Sequence, residues 1–252
     1  MQEARSGAQS VERALSVLRA FEASPGALGI TEVAAHTGLS ISTAHRLTRA
    51  LCAGGLLRQD PRSERYQLGP TLVVLGRRAE DQLGYAHTLP ILEELAEVTD
   101  ESVNLGIHSG TEVVVVLDVP SRQPLRFNQS EGTRVPIHTS AMGKCLLAFT
   151  HDPMAAVEAL GRLHRLTDRT ITNRPALLEE LDLTRARGWA VNDEERHTGV
   201  RAVAAPVLAS DGTAVAAVAV QGPAIRLDDA AITAATKHLL AATARVSPLL
   251  SG

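Results

Sequence analysis

The 252-residue sequence predicts an α+β protein built in two parts. Through residue 69 it carries short helical periods and then an arginine-rich hairpin. A helical connector starts at Gly69-Pro70, and beyond residue 100 β-branched strand patterns alternate with amphipathic helices.

Composition narrows the class. A hydrophobic content of 44% is ample for the cores of one large or two modest domains. No segment combines a basic start with an apolar run, and no stretch approaches the roughly 18 apolar residues of a membrane span. The expectation is therefore a cytoplasmic chain with no membrane partner. Cys52 and Cys145 lie far apart, which gives neither a disulfide framework nor a metal pair, and both are expected to be small buried apolar residues. The formal net charge of −3 hides an asymmetry. Eight arginines face six acids through residue 69, leaving +2 there and −5 beyond, and five of those arginines fall between residues 46 and 65.

The elements follow in order. "SVERALSVLRAF" places Val11, Ala14, Leu15, Leu18 and Phe21 at helical spacing with Ser10 as a cap. After the break "SPGALG", "ITEVAAHTG" gives a second short helix with Ile30, Val33 and Ala34 on one face and Gly38 as its stop. "LSISTAHRLTRALCAGG" predicts a third, capped by Ser40 and ended by Gly54-Gly55. At about 100° per residue, Ile41, Ala44, Leu47 and Leu51 gather on one face, and Ser42, His45, Arg46 and Arg49 on the other.

Two short helices joined by "TGLS" have the layout of a helix-turn-helix, whose second helix enters the major groove. Ser42, Thr43, His45 and Arg46 would then lie near bases and Arg49 near the backbone. The same pattern also fits a solvated helix face. "GLLRQDPRSERYQLG" adds a strand, a turn at Asp60-Pro61-Arg62-Ser63, and a return strand with Tyr66 and Leu68 inward. A hairpin directly after such a helix is a wing, and Arg58, Arg62 and Arg65 could meet phosphate or the minor groove. The combination is more specific than either part.

"TLVVLGRRAEDQLGYAHTLPILEELAEVTD" runs helically, with an interruption expected around Gly84 and Pro90. Its Leu72, Val73, Leu75 and Leu83 are too many for a free linker and suggest packing on a partner subunit. "SVNLGIHSG", "TEVVVVLDVP" and "LRFNQ" read as a three-stranded meander. "DPMAAVEAL" and "RPALLEELDLTRARG" read as helices opened by Asp152-Pro153 and Arg174-Pro175. Strands return with "GWAVND", "VRAVAAPVLAS" and "TAVAAVAVQG", the last two joined at Asp211-Gly212, and a helix opened by Asp228 or Asp229 closes the chain.

"RVPIHTSAMGKCLLA" imitates a phosphate loop or a serine-lysine site, yet His138 and Cys145 stand where a phosphate loop needs Gly and Ser or Thr, and Ser140 and Lys144 are one residue too far apart. What remains is a helix N-terminus, suited either to an anion or simply to a capped core helix. "NDEERHTG" clusters Asp193, Glu194, Glu195, Arg196 and His197, which suits acid–base groups, metal ligands or a solvated loop. The nine histidines show no zinc spacing, and His164 and Asp168 lack a nucleophile. No catalytic set, metal site or cofactor is expected.

The ordered motifs resemble the IclR type of bacterial transcriptional regulators over nearly the whole chain. "GTRVPIHTSAMGKCLLA" is close to that family's G-x-x-x-P-L-H-x-T-A-x-G-K-A-x-L-A pattern, and "RGWAVNDEERHTGVRAVAAPVLASDGTAVAAVAVQGP" to its R-G-Y-A-x-D-x-E-E block. The resemblance implies a winged helix-turn-helix over residues 1–69, a linker helix over 70–84, and a GAF-like effector-binding and oligomerisation domain over 85–252. It further implies a homodimer, or a dimer of dimers, on double-stranded operator DNA, controlled by a small organic acid or aromatic metabolite and acting in the first instance as a repressor. Carried over by position, the backbone amides of Met142 and Gly143 would meet ligand oxygen, with Asn192, Ala202, Ala219 and Gln221 opposite. Relatives that sense small keto acids tend to carry Asp, Cys, Ser and Ser at those four places. The difference predicts an effector with more apolar surface, or a weak response. The alternative is a metabolite-binding or enzymatic domain tethered to a DNA-binding module.

Overall fold

The computed structural model describes residues 2–22, 24 and 26–250, with side chains described from residue 8. Pro25, part of the expected break after the first helix, lies outside the described residues. The chain divides into two compact units, Met1–Gln82 and Leu83–Gly252.

In the first unit α1 spans Gln2–Ala20, α2 Ile30–Thr37 and α3 Ile41–Ala53, followed by β1 Leu57–Gln59 and β2 Tyr66–Leu68. The strands pair antiparallel with Leu57 opposite Leu68 and Gln59 opposite Tyr66. Capping residues set the boundaries. Ser40 Oγ accepts the Thr43 N–H at 3.3 Å, and Gly38 takes the left-handed conformation with φ +66° that stops α2. Val17, Phe21, Val33, Ala44, Leu47, Leu51, Leu57 and Tyr66 form the core.

Three readings change here. Helix α1 starts well before Ser10, which lies within it, because the preceding Ala8 and Gln9 continue the helix without a cap. Its buried face is Val17, Ala20 and Phe21, while Val11 and Leu15 are 60% and 47% exposed, since only its last two turns reach the other helices. Ile41 and Leu68, expected inward, are also exposed, each lying at the end of its element, beyond the cover of the small core. Helix α4, Thr71–Leu83, has no buried residue; Val73, Val74, Leu75 and Leu83 are each about half exposed.

The second unit opens with Gly84 at φ +73°, the expected break, followed by α5, Tyr85–Thr99. A Cβ at Gly84 would lie 2.5 Å from the Leu249 carbonyl oxygen, so glycine is required twice over. Pro90 does not interrupt α5. It forfeits one backbone bond, and the core packing of Ile91, Leu92 and Leu95 outweighs the loss.

A six-stranded antiparallel sheet runs in the order β5-β4-β3-β8-β7-β6. Its strands are β3 Ser102–Ser109, β4 Glu112–Val119, β5 Arg134–Pro136, β6 Ala190–Asp193, β7 Val200–Leu208 and β8 Ala214–Pro223. The third strand of the meander is thus Arg134–Pro136 and not "LRFNQ". Both edges of β3 are taken by β4 and β8, and β4 pairs Glu112 to Val114 with β5, which leaves residues 125–129 as a loop. Helix α5 and α9, Asp229–Leu250, pack on one face through Val103, Leu105, Val203, Val218 and Val220. On the other face α6 Ala141–Ala148, α7 Pro153–Ala159 and α8 Arg174–Arg187 cover Ala190, Ala202, Ala204, Ala217 and Ala219. Asp152, Asn173 and Asp228 cap α7, α8 and α9 by accepting backbone N–H bonds three residues on, at 2.8–2.9 Å.

Candidate functional site

Helix α3 presents the first candidate site. Ser42, His45, Arg46 and Arg49 are exposed on one face, Thr43 is half-buried at its start, and Ala44, Leu47 and Leu51 anchor the opposite face. Ser40 Oγ also reaches Ser42 Oγ and Thr43 Oγ1 at 3.1 and 2.9 Å, so the first turn offers a cluster of hydroxyls. Among the described residues, the guanidinium groups of Arg46 and Arg49 have no hydrogen bond or ion pair, which leaves both charges available to a phosphate or a guanine edge.

The hairpin arginines divide. Arg62 is exposed at the tip, where Asp60 accepts from Arg62 N and Ser63 Oγ at 3.0 and 2.6 Å. The bond from Ser63 and then that from the Arg62 N–H hold the Asp60 carboxyl below its usual range. Arg58 donates to Gln67 Oε1 at 2.8 Å across the strands. Arg65 is placed differently: it donates to the Ala27 carbonyl at 2.7 and 3.0 Å and to Glu32 Oε2 at 2.6 Å, fastening β2 to the start of α2.

The second candidate lies on the α6 face of the sheet. Asn192, Ala202 and Gln221 are direct cross-strand partners on β6, β7 and β8, so their side chains share one face, and Ala219 stands two residues along β8 opposite Asn104. All four sequence-derived positions are buried. Gln221 Nε2 donates to Asn104 Oδ1, and Asn104 Nδ2 donates to Asp118 Oδ1 at 2.8 Å and the Gln129 carbonyl at 3.3 Å. Burial pushes the Asp118 carboxyl up, against the bond from Asn104.

Helix α6 faces this row with small residues. A Cβ on Gly143 would sit 1.9 Å from the Ile137 carbonyl oxygen, so only glycine fits that close approach. Ser140 Oγ accepts the Gly143 N–H at 2.9 Å, so that amide is already satisfied; no such partner is found for the Met142 N–H among the described residues. Cys145 is buried, its Sγ donating to the Ala204 carbonyl at 3.2 Å, and burial pushes its thiol up to about 12. Cys52, in contrast, is only partly buried, because it faces the edge of the smaller core.

Sequence reasoning missed the pair that locks the two walls together. Lys144, 2% exposed, donates from Nζ to Val191 O at 2.8 Å and Glu195 Oε1 at 2.5 Å, with Glu180 Oε1 at 3.7 Å. Burial raises the Glu195 carboxyl, and the Lys144 ammonium opposes that rise. "NDEERHTG" is accordingly a built turn. Asn192 Oδ1 accepts from Glu195 N at 2.8 Å, and Thr167 and Thr170 donate to the Glu194 and Glu195 carbonyls at 2.8 and 2.7 Å. The signal was a lysine inside an otherwise apolar helix, which has to find a buried acid. A groove of about 530 Å³ between α5 and α9 lies on the opposite face from the row.

The sequence model of the bacterial transcriptional regulator IclR C-terminal domain matches residues 85–248, and that of the IclR helix-turn-helix domain matches residues 10–61. The chain belongs to the IclR family of bacterial transcriptional regulators. Among IclR relatives it is 35% identical to the regulator BhcR of Paracoccus denitrificans, over 96% of this chain and 87% of that protein. It is 41% identical to the glycerol operon regulatory protein of Streptomyces griseus, over 87% and 86%. The IclR transcriptional regulator of Alicyclobacillus acidocaldarius superposes with a TM-score of 0.85 at 29% identity, covering 97% of this chain and 99% of that one. An IclR homologue of Microbacterium hydrocarbonoxydans, solved with 4-hydroxybenzoate, shares the fold with a TM-score of 0.77 at 21% identity over 96% and 98% of the chains. This IclR chain is therefore a DNA-binding transcriptional regulator with a helix-turn-helix and a C-terminal antiparallel-sheet domain. No helix among the described residues is long and apolar enough to cross a membrane.

Proposed function

We propose that this regulator reads operator DNA through the exposed face of α3 and releases or tightens it when a small metabolite occupies the α6 face of the sheet. Residues 1–69 serve as the DNA-binding domain, 70–84 as the linker and 85–252 as the sensor. The observation that carries the reading is the pair of guanidinium groups, Arg46 and Arg49, unengaged among the described residues, on the helix whose first turn offers Ser42 and Thr43. Ser42, Thr43, His45 and Arg46 face base edges; Arg49, Arg58 and Arg62 take phosphates, and Arg65 holds the wing against α2.

A second copy of the chain is the partner. The uncovered Val73, Val74, Leu75 and Leu83 of α4, with Val11 and Leu15 of α1, provide apolar surface for it. Such a dimer places two recognition helices roughly 34 Å apart, one turn of duplex. Effector occupancy acts by favouring one dimer geometry over another, so its effect on DNA affinity equals its preference between the two. Repression of a neighbouring operon is the expected output.

The test is a salt titration of full-length protein on its own upstream DNA, comparing wild type with Arg46→Ala and Arg49→Ala. Each substitution should lower the slope of log affinity against log salt by about 1. Undiminished, sequence-specific binding by the double variant would overturn the assignment of α3.

A further inference from the structure

Arg196 has a half-buried guanidinium with no acid paired to it among the described residues. Its one hydrogen bond among the described residues runs from Nη1 to Gln129 Oε1 at 2.8 Å. The neighbouring acids are engaged elsewhere: Glu195 with Lys144, Glu194 with the Gly199 N–H at 2.6 Å, and Asp193 with Arg169 and Arg201 at 2.5 and 2.7 Å. A cation withdrawn from water without a counter-charge is costly, and burial duly pulls the Arg196 guanidinium down.

Gln129 sharpens the point. It is 4% exposed, and its Nε2 is buried with no hydrogen-bond partner among the described residues. Turning the amide over would set NH₂ against the guanidinium, so the orientation is fixed by Arg196 and the unpaired donor is real to the geometry. The two ends of one carboxamide thus hold an uncompensated cation and an unused N–H donor.

Both residues adjoin the effector row. The Gln129 carbonyl accepts from Asn104, which pairs with Gln221, and Asn192 accepts from the N–H of Glu195, next to Arg196. The Phe127 and His197 rings lie 5.6 Å apart, centroid to centroid, and flank the same pair of residues in sequence.

We propose that Arg196 and Gln129 form an anion-reading subsite of the effector site, which takes a carboxylate of the ligand. The guanidinium supplies charge-assisted donors and the Gln129 amide a further one, a donor set suited to two carboxylate oxygens. An acid is selected over its amide because an amide presents NH₂ to a cation and leaves it unpaired. This rests on the effector-binding reading above and adds the group that the ligand must carry.

The experiment is calorimetry on the full-length protein with matched acids and amides: benzoate and benzamide, 4-hydroxybenzoate and 4-hydroxybenzamide, pyruvate and pyruvamide. At least one acid should bind about tenfold to a hundredfold more tightly than its amide. Arg196→Gln should erase that preference without lowering the melting temperature of the ligand-free protein, and Gln129→Leu should reduce it. The subsite is overturned if acid and amide bind alike, if Arg196→Gln leaves acid affinity unchanged, or if that variant melts well below wild type, which marks a structural arginine. Binding of neutral compounds alone overturns the subsite and leaves the effector reading standing; binding of nothing in the set or in a wider metabolite screen overturns both.

Discussion

Replacing Lys144 with methionine keeps the side-chain volume and removes the charge, leaving Glu195 beside Val191 with no cation. The ammonium is 2% exposed and the Glu195 side chain 7%, so water cannot take its place, and Glu180 at 3.7 Å adds a second acid to the same spot. Breaking a buried pair in this way costs about 3–5 kcal/mol, a large part of the roughly 5–15 kcal/mol of a typical domain. The loss should depend on pH. Glu195 holds its proton more tightly folded than unfolded, so stability falls as pH rises through its folded pKa. Without Lys144 the carboxyl rises further, and the gap to wild type should widen as pH rises from the ordinary carboxylate range towards neutrality and above. Trp189, the single tryptophan, precedes β6, and Arg187 lies 4.4 Å over its ring, so its fluorescence in a urea titration follows this unit alone. Glu195→Leu added to Lys144→Met should recover most of the loss, because an apolar replacement of the whole pair is nearly neutral. A loss below about 1 kcal/mol, or one that is flat across that pH range, would refute the argument that this pair is paid for by charge.

Three further outcomes are expected. Gly143→Ala should destabilise the sensor unit by about 1–3 kcal/mol or more, read by the same fluorescence, because the Cβ meets backbone and not a movable side chain. A thiol reagent should titrate Cys52 slowly in the native protein and Cys145 only after unfolding, since Cys145 is buried with its thiol pushed up to about 12. Leu57→Ala should cost about 2–5 kcal/mol as read by circular dichroism, whereas Arg65→Ala, whose ion pair is 41% and 45% exposed, should cost less than about 1 kcal/mol.

Features fixed by neighbouring residues could be read from the sequence. Ser40, Gly38, Asp152 and the Asp211-Gly212 turn act over two to four residues, and each stands where the pattern put it. Features fixed by distant residues could not. The buried face of α1 depends on where the other helices touch it, and "LRFNQ" has the composition of a strand but the outer edge of β4, where a third meander strand would pair, is taken by Arg134 to Pro136. Lys144 and Glu195 meet across 51 residues, and Gln129 and Arg196 across 67, separations at which spacing carries no signal. The row Asn192, Ala202, Gln221 became visible only through resemblance, and register then explains why three positions so far apart belong together.

The alanines beneath α6 have a mechanical consequence. Ala190, Ala202, Ala204, Ala217 and Ala219 have no rotamers to yield, and Gly143 and Cys145 opposite them have little more. A guest arriving beside this seam finds no long side chains to swing aside, so making room means shifting main chain, and a shifted helix is a displacement that other parts of the subunit can feel.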